Sequence, residues 1–302
     1  MAGNQSQFDE YIAEDIRRHR GVSYPIHSGP LRRLFVRTAL CLRLHPNPED
    51  EFCDPNIGPN YSIVSDYVQT IQLNWRKGYK YCYKEPLIVE RIRPDGYMLL
   101  NGHHRWAAAL RMSVARVPIR IVNLTLEEDL RKMVQNAKHH KRVTLDLDEV
   151  VFHSGPKEEA EPRLRFPWNR LYRERLRNGV PALFHHLKTL GYDIWIYTAG
   201  YYSMDYLQRC FRHYQVQLDG VVTGLTSRRP GVEGIRNQMQ ALMAVQYPKT
   251  VHIDGSSVLC IDRTAHEFNE FPLSGASDTW AQEVREAIDK YESQTNAGNA
   301  AP

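Results

Sequence analysis

Two aspartates, Asp146 and Asp148, follow the apolar residues of VTLDLDEVV and are the strongest candidates for chemistry in this sequence. Carboxylates at the end of an apolar strand are costly to bury unless they are paired or bind a metal ion. In an extended strand, residues two positions apart point to the same side. The pair therefore indicates a site for one hard cation such as Mg²⁺, or else two acids at an ordinary exit from a strand.

Three more polar residues follow at positions that can reach the same site. Thr198 ends the apolar stretch IWIYT, where a hydroxyl beside backbone N–H groups can hold a phosphoryl oxygen, although threonine is also common in turns. Arg228 in TSRRPG supplies a cation that can offset developing negative charge, or is one of an exposed pair. Asp254 ends the stretch TVHID. Each is a weak signal alone, but together and in this order they predict one site.

This order of residues resembles the haloacid dehalogenase (HAD) superfamily of phosphotransferases over residues 142–292. The first motif of that family, DxDx[TV] after an apolar strand, matches residues 146–150. The second, third and fourth motifs match Thr198, Arg228 and Asp254, with Arg229 and Lys249 as further candidates for the third. Two departures stand out, because Gly255 occupies a place where a second acid is common, and arginine replaces the commoner lysine.

The resemblance implies a phosphohydrolase mechanism. Asp146 attacks phosphorus and forms an aspartyl-phosphate, while Asp148 acts as general acid and then general base. Mg²⁺ is held by Asp146, Asp254 and Asp148, the last through its main-chain carbonyl, and Thr198 and Arg228 bind the phosphoryl group. Because about 50 residues separate the first two motifs and most of them have a helical pattern, no large cap domain is expected and the site is open to bulky substrates.

A second candidate site lies in LLNGHHRWAAAL, where a predicted strand leads directly into a predicted helix. Glycine before a helix start leaves backbone N–H groups free, and histidine and arginine add donors, which favours an anion site. The residues concerned are Gly102, His103, His104 and Arg105. The alternative is a simple strand-to-helix turn with solvated side chains.

This stretch is similar to the ParB/sulfiredoxin fold over residues 31–138, which implies a nucleotide-phosphate loop for ATP or another nucleotide. The sulfiredoxins themselves fit poorly, because His103 stands where their reactive cysteine lies, and the long DNA-binding region of ParB partition proteins is absent. The local likeness is greatest to the free-serine kinases of this fold, whose catalytic glutamate would correspond to Glu49 or Glu51. Those two residues can equally belong to a solvated loop.

The predicted elements divide the chain into two domains. Residues 61–74 have helical spacing, and EPLIVERI, PDG and YMLL form a strand, turn and strand, so residues 31–138 form a small α+β domain. From residue 142, strands alternate with helices, which predicts a doubly wound parallel α/β sheet over 142–292. The basic run 137–142 marks the boundary. Residues 1–30 form a polar extension, and 293–302 a disordered tail.

Composition excludes several classes of protein. The chain has 302 residues, 42% hydrophobic and 25% charged, with a net charge of +4, which suits phosphorylated small molecules or nucleotides as partners and does not favour nucleic acid. No apolar run is long enough to span a membrane. Five scattered cysteines without a CxxC pair fit free thiols in the cytoplasm. The patterns GxxxxGK[ST], GxGxxG and HExxH are absent.

We therefore expect a cytoplasmic two-domain enzyme, in which a Mg²⁺-dependent HAD-type phosphohydrolase domain is coupled to a ParB/sulfiredoxin-like nucleotide-binding domain. Two alternatives remain open. The first domain can itself be an ATP- or ADP-dependent kinase of a small hydroxylated metabolite. Otherwise, the protein is a nucleic-acid-binding or regulatory module whose HAD half is inert.

Overall fold

The computed structural model divides the chain into two compact units, the first ending at Leu124 and the second beginning at Thr125. It describes residues 2–19, 21–54, 56–79, 82–152, 159–224, 237, 241–274 and 278–299, with backbone alone for 2–7 and 296–299. Each unit has its own sheet and its own hydrophobic core.

The first unit is a mixed sheet with helices. Its helices are α1 (Ala2–His19), α2 (Pro30–Phe35), α3 (Tyr61–Arg76) and α4 (His103–Arg111). Its strands are β1 (Tyr24–Pro25), β2 (Thr38–Leu40), β3 (Leu44–His45), β4 (Leu87–Arg93), β5 (Tyr97–Asn101) and β6 (Arg116–Val122), in the order β2-β6-β4-β5-β3 with β1 paired to β4. The predicted helix over 61–74 and the predicted hairpin before the GHHR loop are both present.

The core of the first unit includes the N-terminal helix, which differs from the polar extension predicted for residues 1–30. Ile12 is buried in this core, and Phe8, Tyr11 and Ile16 pack against it. Residues three and four positions apart lie on one face of a helix, so these four side chains form an apolar face on α1. The sequence indicates a short helix from Phe8 to His19 within the polar extension, but not that this helix packs into the core.

The second unit is built on a six-stranded sheet. Its helices are α5 (Glu127–Gln135), α6 (Trp168–Leu171), α7 (Val180–Thr189), α8 (Met204–His213) and α9 (Trp280–Asn299), and residues 241–246 are also helical. Its strands are β7 (Lys141–Asp146), β8 (Tyr192–Thr198), β9 (Gly220–Thr223), β10 (Lys249–Ile253), β11 (Ser257–Asp262) and β12 (Glu267–Pro272), in the order β12-β11-β10-β7-β8-β9.

The sheet of the second unit is mixed, whereas the sequence predicted a wholly parallel sheet. Strands β10, β7, β8 and β9 are parallel, but β11 and β12 run antiparallel at one edge. The turn between β10 and β11 is short, and a short turn can join only antiparallel neighbours. Helices cover both faces of the parallel part: Ile194 and Ile196 of β8 belong to one apolar cluster, and Trp195 belongs to another with Leu130 of α5.

Helix α5 lies in the second unit, although the sequence placed the boundary at residues 137–142. Leu130 of α5 packs with Trp195, Val222 and Tyr247 of the second sheet and its helix. The Thr125 hydroxyl donates to the carbonyl of Val221 at 3.0 Å and does not cap the helix. The N-cap is Leu126, whose N–H is bound by the Asp129 carboxylate.

Two further segments differ from the predicted pattern. Between the first two motif residues, the expected helix is present from Val180 onwards as α7. Before α7, the described residues form one helical turn, α6, and two antiparallel bridges, Phe152 to Leu176 and Ala160 to Arg177, where more helix was expected. At the other end, α9 continues to Asn299, through most of the range 293–302 that was predicted to be disordered.

None of the described helices combines the length and apolar character that crossing a membrane requires. All five cysteines are free thiols, and four of them are buried.

Candidate functional site

Three neighbouring parallel strands of the second unit end at the same edge of the sheet, and each brings a predicted site residue there. Leu145 of β7 pairs with Ile253 of β10, so Asp146 and Asp254 follow adjacent strand positions. On the other side of β7, Asp146 pairs with Tyr197 of β8, and Thr198 is the next residue. The carboxyl edge of an open α/β sheet is where ligands collect, and the fold places Asp146, Thr198 and Asp254 at this one edge.

Asp146 begins a tight turn that also presents Asp148. After β7 the chain makes one π-helical turn over Leu147–Val151, and Asp146 is its N-cap. The Asp146 Oδ1 atom accepts hydrogen bonds from the N–H groups of Asp148 at 2.8 Å and Glu149 at 2.9 Å. Leu147 and Val150 are buried while Asp148 and Glu149 are exposed. The turn is therefore anchored by apolar residues and presents its carboxylates to solvent.

Asp148 is held by Thr198 from the neighbouring strand. The Thr198 hydroxyl donates to Asp148 Oδ2 at 2.5 Å and accepts from the N–H of Gly200 at 2.8 Å. Thr198 is almost fully buried, at 1% exposure, so its hydroxyl is confined to this position. The residue predicted to bind a phosphoryl oxygen therefore directs its proton to Asp148 in this structure.

Asp254 is bound into the turn between β10 and β11. Its Oδ1 accepts from the N–H groups of Ser256 and Ser257 at 2.6 Å each. Burial raises the pKa of Asp254, but the hydrogen bonds from Ser256 and Ser257 outweigh it, and the net pKa lies below the ordinary value. Asp254 therefore stays ionised near neutral pH. It also stabilises the turn, so replacing it with alanine removes turn hydrogen bonds as well as a carboxylate.

One candidate considered for this site, Lys249, lies at the other edge of the sheet. Lys249 begins β10 and pairs in register with Asp262, the last residue of β11. Their side chains form an ion pair at 3.0 Å. Burial raises the pKa of Asp262, but hydrogen bonds from Thr264 and Lys249 bring it down to about 2. Lys249 and Asp262 are thus excluded from the Asp146 edge, while Arg228 and Arg229 lie outside the described residues.

The donors at the Asp146 edge suit a hard cation, since carboxylate and carbonyl oxygens are the ligands that Mg²⁺ prefers. The carboxylates of Asp146, Asp148 and Asp254 do not converge as a set, however. Among the described residues, a group of three potential ligand atoms within 4.8 Å of one another forms elsewhere, in the first unit. A cation at this edge would therefore be held by two carboxylates, Asp146 and Asp254, with the main-chain carbonyl of Asp148, because the Asp148 carboxylate faces Thr198.

The second candidate site, in the first unit, lies where β5 enters α4. Gly102 is the N-cap of α4 and has φ +100°, a left-handed conformation that favours glycine. A Cβ atom at this position would come within 2.6 Å of Leu87 Cδ2. Glycine is therefore required both by the backbone and by the packing of β4 beneath it.

The two histidines after Gly102 hold a neighbouring loop. His103 Nε2 accepts from the N–H of Asn47 at 3.2 Å, and His104 Nε2 accepts from the N–H of Asn60 at 3.1 Å. The ring of Phe52, in the same loop, stacks on His103 with centroids 5.5 Å apart. Burial lowers the pKa of His103 to about 4 and also lowers that of His104. Both rings are therefore neutral at pH 7, and their Nε2 atoms act as acceptors rather than as donors to an anion.

Arg105 is also bound within the unit. Its guanidinium donates to the carbonyl of Glu85 at 3.1 Å and to the side chain of Asn101 at 3.3 Å. Glu49 and Glu51, the candidate catalytic glutamates, are both exposed in the loop that the histidines hold. The side chains that the sequence assigned to anion binding thus support the local structure, which leaves the backbone N–H groups at the start of α4 as the donors suited to a phosphate.

No sequence pattern indicates the hydrogen-bond partners of these two histidines. Asn47 and Asn60 lie more than forty residues before the GHHR loop, and their contacts with His103 and His104 arise only on folding. Asn60 carries a local signal, because it is the N-cap of α3 and its side chain accepts from Ser62 and Ile63.

Comparison with known proteins supports a ParB-like region. Residues 65–137 match the ParB N-terminal domain family, a match that spans α3 to α5 and less than half of the chain. Sequence comparison with curated proteins gives no match. One solved structure, the crystal structure of the C-terminal domain of the coenzyme A biosynthesis bifunctional protein CoaBC, aligns with 54% of this chain and 99% of its own at 15% identity. Its TM-score of 0.19 is too low for any conclusion about the fold.

Proposed function

We propose that the second unit is a Mg²⁺-dependent phosphohydrolase that acts through an aspartyl-phosphate on Asp146. The observation that carries the proposal is the grouping of Asp146, Asp148, Thr198 and Asp254 at the carboxyl edge of three adjacent parallel strands. The resemblance of the four sequence motifs to the HAD superfamily supports the same chemistry.

Asp146 is suited to act as the nucleophile. Among the described residues, both hydrogen bonds to its carboxylate fall on Oδ1, so Oδ2 remains available to attack phosphorus. Attack forms the bond between Oδ2 and phosphorus and breaks the ester bond to the substrate oxygen. The half-buried position of Asp146 on a short turn fixes its direction of approach.

Asp148 is suited to move the protons. It is exposed, two residues from the nucleophile, and Thr198 fixes its orientation through a hydrogen bond of 2.5 Å. In the first step Asp148 gives a proton to the leaving oxygen. In the second it takes a proton from the water that attacks the aspartyl-phosphate, which returns Asp146 to its carboxylate. Asp146, Asp254 and the carbonyl of Asp148 would hold Mg²⁺, which when bound neutralises charge on the phosphoryl oxygens.

The experiment is a panel of phosphorylated metabolites and nucleotides assayed with the full chain in Mg²⁺. We expect turnover of at least one substrate by the wild type and none by Asp146→Asn, because the amide cannot form the aspartyl-phosphate. Glu149→Gln is a matched control on the same turn, and its exposed side chain should leave turnover unchanged. Wild-type turnover in Asp146→Asn would rule out this mechanism.

A second function, for the first unit, is suggested by the ParB N-terminal domain match over residues 65–137. We propose that the start of α4 binds the phosphates of a nucleotide through its backbone N–H groups. Gly102 brings the main chain of β5 to this helix start, and the helix dipole favours negative charge there. Arg105, on the first turn of α4, adds positive charge next to it.

Calorimetry of the full chain with ATP, ADP and CTP tests this second function. Arg105→Ala should weaken binding by up to about 1 kcal/mol, because it removes a positive charge next to the helix start without removing a donor to the phosphates. Arg111→Ala, at the opposite end of the same helix, is the control and should bind as the wild type does. If none of the three nucleotides binds, but duplex DNA binds with strong salt dependence, the unit recognises nucleic acid instead.

A further inference from the structure

Three side chains of the first unit, Asp15, His19 and His45, form a compact group that neither proposed function uses. Asp15 and His19 lie one turn apart near the end of α1, and His45 is in β3. His45 Nδ1 is 3.1 Å from both carboxylate oxygens of Asp15, and His19 Nδ1 is 3.5 Å from Asp15 Oδ1. One ligand atom from each residue lies within 4.8 Å of the other two. We call this group the Asp15 cluster.

The spacing of the Asp15 cluster agrees with that of ligands around one metal ion. Ligand atoms about 2.0–2.1 Å from Zn²⁺ in a tetrahedral arrangement are about 3.4 Å apart. The two oxygen-to-nitrogen distances of 3.1 and 3.5 Å bracket that value. Asp15 and His19 also have the i, i+4 spacing by which one face of a helix supplies two ligands to a metal.

The surroundings hold the rings in place and leave one side open. The imidazole rings of His19 and His45 face each other, with centroids 3.8 Å apart at an interplanar angle of 33°. His19 Nδ1 also lies 2.8 Å from the main-chain oxygen of Asp15, so an ion bound through this atom replaces that hydrogen bond. The turn between β4 and β5 lies against His45, where a Cβ on Gly96 would come within 2.6 Å of His45 Nε2. The side chains of Asp15 and His45 are 12% exposed and that of His19 is 24% exposed, so solvent reaches the cluster from the His19 side.

We propose that Asp15, His19 and His45 bind one divalent transition-metal ion, with Zn²⁺ as the natural probe and a water molecule as the fourth ligand. Two imidazoles and one carboxylate with an open position are a recurrent ligand set for zinc and for other first-row metals. Imidazole selects these metals over Mg²⁺, which prefers oxygen ligands, so this site is distinct in chemistry from the Asp146 edge. The ion joins α1 to β3 of the first sheet.

The test is Zn²⁺ titration of the full chain after chelator treatment, followed by calorimetry, with the visible spectrum of bound Co²⁺ as a second readout. We expect one ion per chain and a higher melting temperature on binding. His45→Ala and His19→Ala should each weaken binding at least tenfold and lose the rise in melting temperature. His185→Ala, an exposed histidine of α7, should bind as the wild type does.

His19→Gln keeps the size of the more exposed ligand, so it separates loss of the ion from loss of folding, which circular dichroism monitors. Asp146→Asn should retain the site, because it changes the other unit. Zn²⁺ affinity unchanged in folded His19→Gln and His45→Ala would overturn the proposal. So would a Co²⁺ spectrum with thiolate charge-transfer bands, since that would assign the ion to cysteines instead.

Discussion

The junction of β5 with α4 and the turn after β7 share a local plan, a strand that runs directly into a helical turn, but they use their polar side chains in opposite ways. At the first junction, His103 and His104 accept hydrogen bonds from a neighbouring loop, and the Arg105 guanidinium donates to a main-chain carbonyl of the same unit. At the second, Asp146 caps the turn with one carboxylate oxygen, buried Leu147 and Val150 anchor it, and the Asp148 side chain is exposed.

The difference lies in what stabilises each turn. Where polar side chains replace missing backbone partners, they are committed to the fold and their loss costs stability. Where burial of Leu147 and Val150 helps to fix the turn, the exposed Asp148 carboxylate contributes little to stability. Asp146 caps the turn through Oδ1, which leaves Oδ2 for a ligand. Polar side chains after the strand are therefore committed to local structure at the first junction, whereas carboxylate oxygens remain available for chemistry at the second. Variants at the two junctions should separate loss of activity from loss of stability.

The largest effect is expected at Asp148. Asp148→Asn removes the group that we propose transfers protons, so kcat of the proposed hydrolysis should fall about 10²–10⁴-fold. Its melting temperature should stay close to that of the wild type, because the side chain is exposed and Leu147 and Val150 continue to anchor the turn. Steady-state kinetics and thermal unfolding on the same preparation check both statements. A large drop in melting temperature would place Asp148 with the structural residues.

His103→Ala should have the reverse effect. It removes a ring that is 5% exposed, leaves the N–H of Asn47 without its acceptor, and opens a space beside Phe52. We expect the first unit to lose about 2–4 kcal/mol of unfolding free energy. Urea denaturation followed by hydrogen exchange of the backbone amides of the first unit measures this loss. Phosphohydrolase activity of the folded fraction should be unchanged, and a proportional loss of kcat would contradict the division between the two junctions.

These two predictions also show which features of the structure could be predicted from the sequence. The strand that ends at Asp146, the edge shared with Thr198 and Asp254, and the hairpin before Gly102 follow from apolar patterns and strand order, which are local in the chain. The role of His103 does not, because it depends on Asn47 and Phe52, whose position next to α4 is set by tertiary packing. Asp15 and His19 offered an i, i+4 signal, but the third member, His45, comes from another element.

The pH dependence of stability tests the structural role of His103 at the first junction. The pKa of His103 is about 4 in the folded protein, because of burial, and about 6.5 when unfolded. Since the unfolded chain binds the proton more readily, the stability that His103 provides is complete above about pH 6.5 and is lost as the pH falls to about 4. Melting curves from pH 7.5 to 4.5 should show a steeper fall for wild type than for His103→Gln. Parallel curves would mean that the buried ring does not control acid sensitivity.

The smallest effect is a gain at the Asp146 edge. A Cβ on Gly255 meets no atom within 4 Å, so the turn can accept a side chain there. Gly255→Asp adds an anionic ligand next to Asp254 and should lower the Mg²⁺ concentration for half-maximal activity several-fold. Gly255→Asn is the matched control, with the same size and no charge. An equal shift in both variants would mean that the added charge does not act on the cation.

Helix α5 decides where the chain can be cut into two pieces that each keep a covered core. Residues 65–137 match one family, yet the last helix of that range, with Leu130, covers Trp195, Val222 and Tyr247 of the other unit. A cut after residue 137, which the family boundary suggests, would leave the C-terminal piece with an uncovered apolar face and a tendency to aggregate. A cut between Leu124 and Thr125 keeps the helix with the sheet it covers. The range that matches the family and the unit that packs together thus differ by one helix, α5.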